Sequence, residues 1–186
     1  MNDQALDELK VLLDNQRIVD CLYRYSRGVD RFDEELIRSA FHHDAHAGKR
    51  TIDEFVEYLR AQLPVREACQ HYMMNHIIEI EGDVAHVETY FMSVMKMMEG
   101  ASVAARGPAA PESSDPNEVT LLGGRYLDRF ERHNGEWRIA YRTAIGEWQS
   151  IGDGSRMAAY LALGGNLKRR DRSDPSYVRP LVDSFK

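Results

Sequence analysis

The fold is decided by residues 68–98, which read ACQHYMMNHIIEIEGDVAHVETYFMSVMKMM. Apolar and polar side chains alternate along both halves of this stretch with a period of two, which is the period of a β-strand. The triplet Glu81-Gly82-Asp83 lies between the halves and favours a short turn, because glycine adopts positive φ at no steric cost. The stretch therefore predicts two long antiparallel strands, at about residues 68–80 and 84–98, joined as a hairpin.

Both faces of the first of these strands are apolar. Strict alternation places Met73 and Ile77 on the same face as His71, and gives the opposite face Tyr72, Met74, Ile78 and Ile80. One layer of helices can cover only one face of a sheet, so the second face should be buried against another subunit. The sequence therefore predicts a homo-oligomer, either a dimer or a trimer.

Helical patterns precede the hairpin. Residues from about 3 to 31 carry apolar side chains at helical spacing, which predicts one long amphipathic helix. Asp33 is expected to cap the N-terminus of a short second helix, and Thr51 that of a third. The third helix should end near Leu63, because the proline that follows disfavours helical geometry at that residue.

Further strands follow the hairpin. Residues 99–118 are rich in Ala, Gly, Pro and Ser and predict a long mobile loop. Two more strands are expected at about residues 119–132 and 136–149, because Asn134-Gly135 between apolar runs marks a tight hairpin turn. A short helix near residues 157–163 and a polar tail should complete the chain.

This order of elements predicts an α+β domain, in which N-terminal helices pack on one face of a curved antiparallel sheet. The length of 186 residues fits a single core. We place the domain at residues 1–150 and a C-terminal extension at residues 151–186.

Composition argues against several classes of protein. The net charge of −6, with no strongly basic stretch, argues against a nucleic-acid partner. The basic run at residues 168–172, KRRDR, is interpreted as a solvated charge cluster in the polar tail. No apolar run reaches the ~18 to 20 residues that a membrane span needs. The N-terminus lacks the pattern of a signal peptide, so Cys21 and Cys69 are expected to be free thiols in a reducing cytoplasm.

An aspartate and a histidine in separate elements are the candidate catalytic pair. Asp30 closes the first helix and His71 lies near the start of the first strand. A carboxylate that orients an imidazole makes a general base that works near neutral pH with no metal and no cofactor. The ordinary alternatives are a helix-end carboxylate and a strand-edge histidine. Tyr25 lies about 140° from Asp30 around the helix, so it is either a neighbouring donor or core.

The last predicted strand offers two polar candidates. Ile139 and Tyr141 follow the inward alternation, which sends Arg142 outward unless a bulge intervenes. Glu147 shares the parity of Tyr141 and is therefore predicted to point inward.

A histidine cluster at His42, His43 and His46 suggests a metal as an alternative. His42 and His46 would share a face only if the second helix continued that far, and no glutamate or cysteine completes a ligand set. We therefore predict no metal.

Taken together, the motifs of this chain resemble those of the SnoaL-like family of the nuclear transport factor 2-like superfamily. The resemblance extends over roughly residues 5–150 and rests on these segments: Tyr25-x-x-x-x-Asp30, the FHHDA segment at 41–45, His71-x-x-x-Asn75, the EGDVA segment at 81–85, and NGEWRI at 134–139 before Arg142 and Glu147-Trp148. It implies a cone, in which N-terminal helices close a strongly bent antiparallel sheet around a deep pocket.

The resemblance also implies a chemistry. Its closest functional parallels, scytalone dehydratase, hexachlorocyclohexane dehydrochlorinase and bile-acid 7α-dehydratase, remove a proton from carbon and expel a β leaving group without a cofactor. It implies an Asp30–His71 dyad assisted by Tyr25, with Arg142 and Cys69 in the substrate pocket. Glu147, Met73 and Asn75 complete the candidate substrate-binding set. The family often has a short glycine-rich hairpin with a pocket aromatic at the position of residues 45–51; in this chain the segment is compressed and that aromatic is missing.

The expected function is a cofactor-independent lyase acting on a hydrophobic cyclic or aromatic small molecule. The same groups could shift a double bond or cleave a carbon–carbon bond. The alternative from another class is a non-catalytic ligand-binding protein, or one like the small subunit of ring-hydroxylating dioxygenases. These classes differ in whether Asp30 and His71 meet inside a closed pocket.

Overall fold

A computed structural model describes residues 2–97, 118–154 and 170–179. Within these ranges there are three α-helices, α1 Asp3–Arg31, α2 Glu34–Ser39 and α3 Ile52–Gln62, and short 3₁₀ turns at Leu63–Val65 and Pro175–Tyr177. The strands are β1 Phe41–Ala47, β2 Arg50–Thr51, β3 Arg66–Glu81, β4 Val84–Met97, β5 Glu118–His133 and β6 Glu136–Asp153. Most of the predicted 99–118 loop and the predicted helix at 157–163 lie outside the described residues. None of the described helices is long and apolar enough to cross a membrane.

The predicted helix starts are confirmed. The Asp33 side chain accepts a hydrogen bond from the backbone N–H of Leu36 at the start of α2. Thr51 and Glu54 cap the start of α3 reciprocally, each side chain bonding the other residue's backbone N–H. The long helix α1 ends at Phe32, whose φ of 47° lies in the left-handed region and turns the chain towards α2.

The six strands form one curved, open sheet in the order β2-β1-β6-β5-β4-β3. The predicted α+β cone is confirmed, with one correction: the sheet is mixed, because β1 pairs parallel to β6. Strands β1 and β2 were not predicted, since their seven and two residues show no alternation that the sequence could reveal. The Asn134-Gly135 turn is confirmed, with φ of 53° and 82°.

A bulge in β3 corrects the predicted faces of that strand. Two residues lie between Met73 and His76, whereas only one lies between their partners on β4, so the side-chain parity reverses within the strand. Beyond the bulge, Ile78 and Ile80 pack against the core. Ile77 instead points outward. The prediction that Ile78 and Ile80 lie on the outer face was therefore wrong.

A second bulge, in β6, reverses the prediction for Arg142. Ile139 pairs with Phe130 and Tyr141 pairs with Arg129, so one extra residue lies between Ile139 and Tyr141. As a result Tyr141 is 45% exposed and Arg142 only 3% exposed. The expected inward position of Tyr141 was wrong, and the bulge that the parity argument required for an inward Arg142 is present.

The inward turn of Arg142 places an ion pair inside the core. Its Nε and Nη2 donate to the two carboxylate oxygens of Asp128 on β5, at 2.7 and 2.6 Å. Burial raises the pKa of Asp128, although Arg142 pulls it down. Burial also disfavours the charge of Arg142, but Asp128 outweighs it and raises the arginine's pKa. Each charge therefore depends on the other to be tolerated in the core.

Replacing Asp128 by alanine should destabilise the protein strongly, because the Arg142 charge would remain buried with no counter-charge. The expected loss is about 3–5 kcal/mol of unfolding free energy. Asp7 on α1 forms an exposed pair with Lys10, so Asp7→Ala should cost less than about 1 kcal/mol. Urea denaturation of both variants measures the difference, and equal costs would show that burial of the pair does not matter.

The outer face of β3 keeps an apolar patch after this correction. Tyr72, Met74 and Ile77 are 41%, 44% and 57% exposed. A patch of this kind on a sheet favours contact with another subunit, so the homo-oligomer remains a prediction with Ile77 replacing Ile78 and Ile80.

Ile77→Arg should shift the protein towards monomer, because a guanidinium cannot be buried in an apolar interface without a partner. Light scattering at micromolar concentration measures the mass. His43→Arg, on the exposed part of β1 near the opposite sheet edge, is the matched control and should leave the mass unchanged. A monomeric wild-type protein would contradict the prediction.

Candidate active site

The structure brings Asp30 and His71 together where the end of α1 meets β3. His71 Nδ1 lies 2.6 Å from Asp30 Oδ1, and the backbone N–H of His71 donates to Oδ2 at 2.8 Å. One carboxylate thus holds both the ring and the main chain of the histidine. The two side chains are about nine-tenths buried, at 10% and 11% exposure.

This contact determines which nitrogen of His71 can act as a base. An ionised carboxylate only accepts hydrogen bonds, so Nδ1 carries the proton that is donated to Asp30. In the neutral imidazole the lone pair is then on Nε2. Because His71 borders a cavity of the protein, Nε2 is the ring atom that a bound molecule could meet.

The charge of His71 is governed by opposing effects. Burial alone would lower its pKa, but the hydrogen bond with Asp30, assisted by the Cys69 sulfur, raises the pKa well above the usual value of 6.5. The contact with Asp30 therefore favours the protonated form of His71, and the neutral base appears as the pH rises.

The cavity beside His71 has a volume of about 440 Å³. Its walls are mainly apolar and include Val29 of α1, Phe55 and Leu59 of α3, and Phe91 and Leu122 of the sheet. Arg50, Arg66, Arg142 and Glu118 provide charged groups at the same lining. A cleft of this size, with apolar walls and a few polar groups, fits a small cyclic molecule.

Arg142 is held rigidly on the cavity wall. Its guanidinium carbon lies 4.1 Å from the ring centroids of both Tyr25 and Tyr126, and two of its nitrogens bond Asp128. The third, Nη1, is buried and has no hydrogen-bond partner among the described residues. A buried donor left in this state is costly unless a ligand uses it.

Tyr25 and Tyr126 border the cavity next to this guanidinium. Burial raises the pKa of Tyr126 well above its usual range, and its contact with Tyr25 adds to the rise. Tyr126 therefore stays protonated and keeps a hydroxyl donor. It was not predicted from the sequence, although its alternation with Asp128 and Phe130 on β5 could have revealed its inward direction.

Four predicted substrate-binding residues do not line the cavity. Glu147 points outward because the β6 bulge between Ile139 and Tyr141 reverses the side chains beyond it, and it pairs with Arg125 at 2.5 Å. Asn75 lies exposed at the β3 bulge, and Met73 packs against the core. Cys69 is buried, with its sulfur 3.9 Å from His71 Nδ1, so it contacts the dyad instead.

The histidine cluster lies on β1, because α2 ends at Ser39. His42 is buried with its Nε2 3.0 Å from the carbonyl of Glu131, whereas His43 is exposed. Among the described residues, potential metal-ligating atoms converge only at Asp30, Cys69 and His71, within 4.8 Å of one another. A metal ion bound there would occupy the atoms that form the acid–base pair, so the two uses exclude each other.

Solved structures of similar fold include three whose names describe dehydrochlorinases or a dehydratase. A hexachlorocyclohexane dehydrochlorinase of type 2 has a TM-score of 0.65 and 18% identity, covering 79% of this chain and 94% of its own. A type 3 dehydrochlorinase from Novosphingobium barchaimii has a TM-score of 0.63 and 17% identity, covering 79% and 95%. A scytalone dehydratase-like protein from Novosphingobium aromaticivorans has a TM-score of 0.59 and 15% identity, covering 75% and 87%. At these sequence identities, the likeness shows a shared fold and does not show the reaction.

No curated protein matches the chain. The SnoaL-like domain family matches residues 10–143, which include α1 to α3, β1 to β5 and half of β6. The chain therefore belongs to the SnoaL-like domain family.

Proposed function

We propose that this protein is a cofactor-independent lyase, which eliminates a β leaving group from a hydrophobic cyclic or aromatic small molecule. The observation that carries the proposal is the 2.6 Å contact between Asp30 and His71 at the edge of a largely apolar cavity. An imidazole paired with a carboxylate in such a setting is suited to proton abstraction from carbon.

In the proposed reaction, Nε2 of neutral His71 takes a proton from an acidified C–H bond. The electrons of that bond form the new double bond, and the leaving group departs from the adjacent carbon with its own bonding pair. Asp30 stabilises the imidazolium as it forms and keeps the ring in the required tautomer. When the leaving group is hydroxide, the Tyr25 hydroxyl, which borders the same cavity, would protonate it.

Arg142 is proposed to stabilise the negative charge that develops during this step. Its buried Nη1 has no partner among the described residues, and its other two nitrogens are held by Asp128. A donor fixed in this way needs no reorganisation when an oxyanion or halide forms beside it, which is the condition for effective electrostatic stabilisation. The names of the dehydrochlorinases and the dehydratase-like protein support the same reaction class.

A double-bond isomerase or a carbon–carbon lyase would use the same base. His71 could return its proton to another carbon, since the mainly apolar walls favour retention of that proton. The products decide between these reactions: an isomerase conserves mass, whereas a lyase releases water, halide or a carbonyl fragment.

His71→Ala should lower turnover by about 10²- to 10⁴-fold, because the general base is removed. Asp30→Asn should give a smaller loss if its role is orientation. The measurement is release of water or halide from a panel of cyclic β-hydroxy ketones and cyclic halides. His86→Ala on the exposed face of β4 is the control, and it should match the wild type. Full activity in both dyad variants would refute the assignment.

The rate should depend on pH in a direction set by His71. Because its pKa is raised in the folded protein, the neutral base is scarce at low pH, and kcat/KM should increase as pH rises through that pKa, above the usual value of 6.5. Asp30→Asn removes the main contact that raises the pKa, so the inflection should move to lower pH. A profile that falls over this range, or an inflection unmoved in Asp30→Asn, would contradict His71 as the base.

A further inference from the structure

Two arginines of the basic run at residues 168–172 make specific contacts: Arg170 with the end of α1 and Arg172 with the start of α2. Residues 170–179, here called the C-terminal strap, lie against this end of α1. The strap is held by several polar contacts: Arg31 with Asp174 at 3.3 Å, Arg27 with the Ser176 carbonyl at 3.2 Å, the Tyr177 hydroxyl with Asp33 at 2.8 Å, and Arg172 with Asp33 at 3.0 Å.

Arg170 contacts the two elements that carry the dyad. Its Nε donates to the backbone carbonyl of Asp30 at 3.3 Å, and its Nη1 donates to the backbone carbonyl of Arg66 at 3.2 Å. Asp30 is in the last turn of α1, and Arg66 begins β3, five residues before His71. One guanidinium thus joins the helix end to the strand.

The local backbone explains why these carbonyls need a donor. The last four carbonyls of a helix have no partner within it. Here the backbone N–H of Phe32 donates to the Val29 carbonyl and that of Asp33 donates to the Gly28 carbonyl. Arg170 donates to the Asp30 carbonyl. Arg66 lies where the β3–β4 ladder is irregular, between Arg66 and Ala68. An arginine can bond the Asp30 and Arg66 carbonyls together, because its planar guanidinium presents several donors at fixed angles.

We propose that Arg170 is a positioning residue for the dyad: by bonding the Asp30 and Arg66 carbonyls, it fixes the distance between the helix end and β3 and thereby the contact of Asp30 with His71. Its catalytic consequence rests on the proposed function, whereas its effect on the Asp30–His71 contact does not. It lies outside the segment that matches the family, residues 10–143, so the family match assigns it no role.

The charge of Arg170 provides a way to test this role. Besides Asp30, the charged or titratable groups that act on Arg170 are Arg31 on α1 and Arg66 and Cys69 on β3, and Cys69 also contacts His71. If Arg170 acted only through its charge, its removal would favour the imidazolium and raise the pKa of His71. If Arg170 holds the contact in place, its removal weakens the Asp30 hydrogen bond and lowers the pKa of His71. The two roles predict opposite directions.

The experiment compares Arg170→Met and Arg170→Lys with Arg172→Met as the matched control. Arg172→Met also removes a strap guanidinium and keeps an apolar stem, but Arg172 bonds Asp33 and Glu35, not the dyad elements. The His71 imidazole is titrated by NMR in the substrate-free protein, after circular dichroism has shown that each variant is folded.

We expect Arg170→Met to lower the pKa of His71 and Arg172→Met to leave it unchanged. Arg170→Lys keeps the charge but cannot bond both carbonyls at fixed angles, so it should lower the pKa by less, whereas a charge-only role predicts no change. If Arg170→Met does not fold, the pKa of His71 in Arg170→Lys decides between the positioning role and the charge-only role. A raised or unchanged pKa, or an equal effect of Arg172→Met, would overturn the proposal.

Turnover gives the second readout. Once a substrate is found, Arg170→Met should lower kcat by about 10- to 100-fold with little change in KM, as displacement of a catalytic group typically does. Because the NMR titration needs no substrate, failure of the positioning role and failure of the lyase proposal can be told apart.

Discussion

The structure depends on the two hydrogen bonds that the Asp30 carboxylate makes to His71, one to the ring and one to the backbone N–H. They join the last turn of α1 to β3, which is the edge strand of an open sheet. The end of α1 is therefore held on this edge strand by a polar contact. This contact also fixes the orientation of the imidazole at the cavity. The fold and the candidate chemistry thus rely on the same carboxylate.

Local signals in the sequence were sufficient for most of the secondary structure. The caps at Asp33 and Thr51 and the Asn134-Gly135 turn act within a few residues, so they can be recognised from the chain alone. The bulges in β3 and β6 could not be located in this way, because each is defined by the register of a partner strand. One extra residue reverses every side chain beyond it, which is why Ile77, Tyr141 and Glu147 were assigned to the wrong faces.

The candidate site was predictable to a similar extent. Asp30 and His71 were identified because each lies at a recognisable position, a helix end and a strand start. Arg142 points inward and Glu147 outward, the reverse of what simple alternation predicts, because the register of β6 is irregular. Arg170 could not be assigned a contact from the sequence, since a run such as KRRDR has the composition of a solvated tail. Its contacts are to backbone carbonyls, which leave no complementary side chain for the sequence to reveal.

The raised pKa of His71 has a consequence for the direction of catalysis. Under the proposed function, the contact with Asp30 favours the imidazolium form of His71, which is the acid required for addition across a double bond. By microscopic reversibility, the site that eliminates water or halide also catalyses its addition. The relative stabilities and concentrations of substrate and product, not the strength of the base, would then determine whether the protein acts as a dehydratase or a hydratase.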